Sequence, residues 1–113
     1  MKVFISQPMK DKTNEQIEAE RRLAIQAAKE KFGEDVEIID SFFKDAPHGA
    51  KPLWFLGKSF EMLSTADAAI FCTGWRDARG CKMEKAACDN YGISAYDFTY
   101  SKDAKEGCLS QLA

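Results

Sequence analysis

The chain predicts an α/β fold, with a mostly parallel sheet covered by helices on both faces in three layers, α/β/α. Three observations lead there. Short apolar runs alternate with helical patterns of ten or more residues. Each run ends at turn-forming residues, and the connections have the length that parallel crossovers need. No internal repeat and no linker interrupts that alternation.

The elements follow in order. "KVFIS" (2–6) is a strand stopped by Gln7-Pro8. Thr13 and Gln16 have the spacing of a capping box and open a helix that runs to about Phe32. Its apolar face is Ile17, Ala24, Ala28 and Phe32, interrupted by Glu20 and Arg21, and Gly33 is the expected C-cap. "VEIID" (36–40) is the second strand, followed by an irregular stretch, 41–52, that contains His48 in a Pro/Gly loop. Pro52 suits the first turn of a helix to about Ser64, with Leu53, Leu56, Phe60 and Leu63 facing the core. "DAAIFCT" (67–73) is the third strand. A helix over 80–91 is expected to turn Met83, Ala86, Ala87 and Tyr91 inward and to end at Gly92; "ISAYDF" (93–98) is the fourth strand. The polar segment 99–113 is expected to be a loosely ordered tail after a domain spanning 1–98. Right-handed crossovers with one reversal give the strand order 2-1-3-4, a flavodoxin or Rossmann-like arrangement. The reversal leaves a crevice between strands 1 and 3 at their carboxyl ends, where such sheets bind ligands.

Composition narrows the functional classes. At 113 residues the chain has the size of one domain. A net charge of −2, with basic and acidic residues interspersed, gives no footprint for a nucleic-acid polymer. No apolar run is long enough to span a bilayer, and Gln7-Pro8 breaks the opening apolar stretch too early for a signal peptide. A cytoplasmic protein is expected. Cys72, Cys81, Cys88 and Cys108 form no C-x-x-C pair, so reduced, packed thiols are expected, with no metal.

Three segments converge on the predicted crevice: "SQPM" (6–9), "TGWRDARG" (73–80) and the start of the third helix. Glu84 lies about one turn into that helix, where the dipole is expected to keep its carboxylate ionised; such a group is a candidate nucleophile at an anomeric carbon. The plainer alternative is a solvated glutamate. Asp67 opens the third strand, as a second catalytic candidate or a turn residue. Arg76, Asp77 and Arg79, with Gly74 and Gly80, form a charged loop that is either solvated or a phosphate cradle. Trp75 is either a stacking platform for a flat ligand or a lid on the core. Ser6, Gln7, Pro8 and Met9 line the crevice or simply turn the chain.

The segments "MKVFISQPM", "ADAAIFCTGW" and "RGCKMEKAACDNYGI" resemble the nucleoside 2-deoxyribosyltransferase superfamily, in particular a small domain-of-unknown-function branch found in bacteria and their phages. The resemblance extends over about residues 1–97. It implies that Glu84 is the nucleophile, that Asp67 holds or protonates the base, and that Ser6, Gln7, Pro8 and Met9 line the sugar site. Two positions depart from the family pattern. Phe4 stands where a tyrosine is common, and Ala78 stands where Asp or Ser is common, with Asp77 adjacent.

The expectation is therefore an enzyme of the N-glycosidic bond of nucleosides or nucleotides, transferring or hydrolysing through a glutamate glycosyl-enzyme with no metal or organic cofactor. The alternative is a non-catalytic nucleotide-binding or sensing module, to which Phe4 and Ala78 point. The second helix also carries Trp54, Phe55 and Met62 beside its core stripe, and the superfamily is generally homo-oligomeric. A homodimer or larger homo-oligomer packed through residues 53–63 is expected.

Overall fold

The computed structural model describes residues 1–39, 41, 46–101 and 106–112. Strands β1 (Lys2–Ser6), β2 (Glu37–Ile39), β3 (Ala68–Phe71), β4 (Ser94–Ser101) and β5 (Glu106–Gln111) form one sheet in the order 2-1-3-4-5. The first four strands are parallel, and β5 runs antiparallel to β4. Register places Ser6 opposite Phe71, so β1 and β3 end side by side. The predicted three layers and the order 2-1-3-4 are present, with one strand added.

Helix α1 (Asn14–Phe32) covers one face and α2 (Pro52–Leu63) and α3 (Arg79–Tyr91) cover the other. The Thr13–Gln16 capping box forms in both directions, and Gly33 closes α1 at φ 107°. Ala24, Ala27 and Ala28 let α1 lie close on Val3, Ile5, Ala68 and Ile70. On the opposite face Phe4, Ala69 and Phe71 meet Leu63, Cys81 and Cys88. Alternation along β1 thus feeds two cores, which is why that strand is apolar throughout.

Two expectations are corrected here. Residues 106–111 are not part of a loose tail: β5 pairs with β4 from Tyr96–Gln111 through Ser101–Glu106. Leu109 sits opposite Phe98 and packs against the α1 core. Gly107 makes the fit possible, because a Cβ there would lie 2.1 Å from the Phe98 ring. Helix α3 also turns a different face inward. Cys81, Glu84 and Cys88 are its buried residues, while Met83 and Ala86 are exposed and Tyr91 is 84% exposed. Only Ala87 of the predicted face packs against the core. A periodicity count treats Glu84 as an outward residue, whereas hydrogen bonds allow it to be buried.

The core stripe expected on α2 is corrected as well: only Leu63 is buried, Leu56 is half-buried, Phe60 is exposed and Leu53 is 74% exposed, because Leu53 and Leu56 line a cavity instead of the core. Among the described residues no helix is long and apolar enough to cross a membrane.

Candidate active site

A cavity of about 910 Å³ opens at the carboxyl end of β1, between α1, α2 and the start of α3. Such a volume suits a small organic ligand. Ser6, Gln7, Met9, Arg79, Gly80 and Glu84 line it, as the sequence led us to expect.

Glu84 is only 6% exposed. Ser6, the last residue of β1, donates its hydroxyl to Glu84 Oε1 at 2.9 Å, and the hydroxyl of Ser59 of α2 lies near the carboxylate. Burial pushes the Glu84 carboxyl up from 4.5 to about 7, and the two serine hydroxyls partly oppose that rise. The expectation of a carboxylate held ionised by the helix dipole is thereby corrected. Glu84 is the sixth residue of α3, beyond the first turn where the dipole acts, and desolvation dominates. Near neutral pH the group is poised between its two forms, a common condition in working sites.

Gln7 extends the floor. Its side-chain nitrogen donates to the Ile17 carbonyl at 2.7 Å and to Glu20 Oε1 at 3.0 Å. Lys12 reaches the same Glu20 oxygen at 3.5 Å. Arg21 donates to the Ile39 carbonyl at 3.1 Å, and Ser41 donates to the Ile5 carbonyl at 3.2 Å. Glu20 and Arg21, which break the apolar stripe of α1, are thus the residues that tie this helix to the strand ends.

The remaining predicted residues lie elsewhere. Asp67 is at the opposite, amino edge of the sheet. It accepts from the Lys2 backbone N–H at 2.7 Å and returns its own N–H to the Lys2 carbonyl at 2.8 Å. The length of β3, roughly 13 Å, separates it from the level of Ser6. Within one chain it clamps the start of β1 to β3 and does not reach Glu84.

Trp75 is not a stacking platform: 8% exposed, it packs on Phe71 and donates its indole N–H to Asp97 Oδ1 at 3.1 Å. The Arg76 guanidinium covers that ring at 4.5 Å, a cation–π contact outside the cavity. Gly74 takes φ 87° to turn the chain into the 3-10 turn Trp75–Asp77, and Asp77 is exposed there. Neither they nor Pro8 line the cavity.

Ser59 and Lys51 belong to the site but escaped the sequence reading. Ser59 has a signal in hindsight, since Leu56, Ser59 and Leu63 share i, i+3, i+7 spacing with one polar member. Cys81 also lines the cavity, but burial lifts its thiol to about 11, so it holds its proton at neutral pH. Cys72, Cys81 and Cys88 are buried free thiols and Cys108 is an exposed one. No group of three metal-ligating side chains forms among the described residues.

No protein-family model and no curated protein matches the chain.

Proposed function

We propose that the protein is an enzyme of the N-glycosidic bond of nucleosides or nucleotides, with Glu84 as its nucleophile. The observation that carries this reading is the buried Glu84 carboxylate, hydrogen-bonded by Ser6, on the wall of a cavity at the strand ends. Ser6 holds Oε1 in place, and the group lies on the wall of a space large enough for a sugar and a base. The resemblance of its sequence segments to the nucleoside 2-deoxyribosyltransferase superfamily gives the same role to Glu84.

In the proposed step the Glu84 carboxylate attacks C1′, and the C1′–N bond breaks with its electron pair on the base. The departing base takes a proton from solvent. Water, or a second base, then displaces the glutamate from C1′ and restores the carboxylate, releasing a proton. Glu84 is the only carboxyl lining the cavity among the described residues. Ordinary glycoside hydrolases use two, one of them as the acid for an alkoxide leaving group. A heteroaromatic base carries negative charge more easily than an alkoxide and depends less on such an acid. Incubation with a panel of nucleosides and 5′-monophosphates, with chromatography for free base, tests the proposal.

A second reading, a non-catalytic nucleotide-binding module, is favoured by the position of Asp67 across the sheet. It predicts binding without base release. The proposal also includes a homodimer through α2, supported by the exposed side chains of Leu53 and Phe60 on that helix. Light scattering at micromolar concentration should then give twice the 12.7 kDa chain mass.

A further inference from the structure

Cleavage of an N-glycosidic bond needs an attack at C1′ and relief of the charge that collects on the departing base. Glu84 supplies the first. Asp67, expected to serve the base, sits at the amino end of β3, and Glu84 is the only carboxyl on the cavity among the described residues. Three cations also line the cavity, Lys12, Lys51 and Arg79, and they differ in how they are held. Lys51 and Arg79 are exposed, and among the described residues neither has an ion pair. Lys12 is half-buried, and its ammonium stands 3.5 Å from Glu20 Oε1. The same oxygen accepts from Gln7 Nε2 at 3.0 Å, and that nitrogen also donates to the Ile17 carbonyl at 2.7 Å. The end of β1, helix α1 and the Lys12 side chain are thus joined in one network, so Lys12 is the cation with a fixed position.

Its counter-charge does not use it up. An ammonium has three donors, and one contact at 3.5 Å engages at most one of them. Lys12 lines the cavity and Glu20 does not, so the cation stands on the ligand side of the pair. Lys12 also lies across the cavity from Glu84: it precedes α1, which covers one face of the sheet, while Glu84 belongs to α3 on the other. Its charge is felt on that far wall. Burial raises the thiol of Cys81, three residues before Glu84, and the Lys12 charge is among the influences that oppose the rise. A nucleoside with C1′ at Glu84 extends its base toward the Lys12 wall.

We propose that Lys12 is a further catalytic residue of this site: its ammonium donates a hydrogen bond to the base as the C1′–N bond breaks, and offsets the negative charge that develops there. The electron pair of that bond goes to the base, Lys12 keeps its proton, and the free base is protonated by solvent. The proposal rests on the N-glycosidic reading and adds to it the group that serves the leaving base.

The test varies the leaving group. The nucleoside or 5′-monophosphate from which wild type releases base fastest is paired with an analogue whose base departs more easily: the 7-methyl derivative of a purine, the 5-fluoro derivative of a pyrimidine. Lys12→Met should lower kcat on the parent compound about tenfold or more, and on the analogue by a factor at least about threefold smaller. Lys12→Arg, which keeps a cation, should recover part of the parent rate. Lys12 is half-buried on the surface loop before α1, and unfolding curves of both variants confirm that the fold is retained. An equal loss on parent and analogue, a loss confined to KM or to phosphorylated compounds, or no loss at all would overturn the role of Lys12 and leave the N-glycosidic reading standing. Absence of base release by wild type from every compound would remove that reading, and the role of Lys12 with it.

Discussion

Exchanging Glu84 for glutamine keeps the shape of the side chain and an acceptor for Ser6, but removes the titration. The carboxyl goes from 4.5 in the unfolded chain to about 7 in the folded one, raised by desolvation. Below about pH 4.5 both states hold the proton and burial carries no ionic penalty. Between pH 4.5 and 7 the unfolded chain loses its proton while the folded chain keeps it, so stability falls as pH rises. Above about pH 7 the loss is complete. At 1.36 kcal/mol per pKa unit it amounts to about 3 kcal/mol. Glu84→Gln should therefore match wild type near pH 4.5 and exceed it by up to about 3 kcal/mol at pH 8, on the order of 10 °C in Tm for a chain of this size. Paired thermal or urea unfolding curves at the two pH values measure this. Groups common to both proteins cancel in the difference. A difference that stays flat with pH, or in which the variant is the less stable at pH 8, would refute the burial argument.

Three other outcomes follow from the same geometry. Base release should rise with pH through about 7, because the nucleophile is the ionised form, and Ser6→Ala should move that rise to higher pH by removing a hydrogen bond that favours the carboxylate; a pH–rate profile unmoved by Ser6→Ala would contradict the pairing. Trp75→Phe should cost about 1–2 kcal/mol by leaving Asp97 without its indole donor, with ligand affinity unchanged; weaker binding at an unaltered Tm would put Trp75 in the ligand site. Gly107→Val should cost about 1–3 kcal/mol through collision with the buried Phe98 and raise hydrogen exchange along β5; normal protection there would contradict the close contact.

Much of the frame was legible because it depends on local rules. The runs 2–6 and 67–73 read as strands since both their faces are buried, and Thr13, Gln16 and Gly33 mark the ends of α1 through their own backbone chemistry. What escaped depends on pairing across the chain. The strand β5 is hidden in a polar segment whose apolar contribution is chiefly Leu109, and its place is set by Phe98 and by the bare α-carbon of Gly107. Glu84 was legible as a candidate from its position after a glycine turn, but its burial was not, since that depends on Ser6 78 residues away. Trp75 looked available for a ligand until Asp97 of β4 supplied its partner. Asp67 opens β3 at its amino end and Glu84 stands beside the carboxyl end of β1, and the parallel register of β1 with β3 puts the two at opposite ends of the sheet.

The central claim is that Glu84 forms a bond to the sugar. Brief incubation of wild type with the nucleoside and 5′-monophosphate panel, acid quenching and peptide mass spectrometry test it directly. The account predicts free base in solution and a fraction of the peptide containing Glu84 heavier by one glycosyl or phosphoglycosyl unit, both lost in Glu84→Gln. Base release at a comparable rate by Glu84→Gln, or no release by wild type from any compound in the panel, would contradict it.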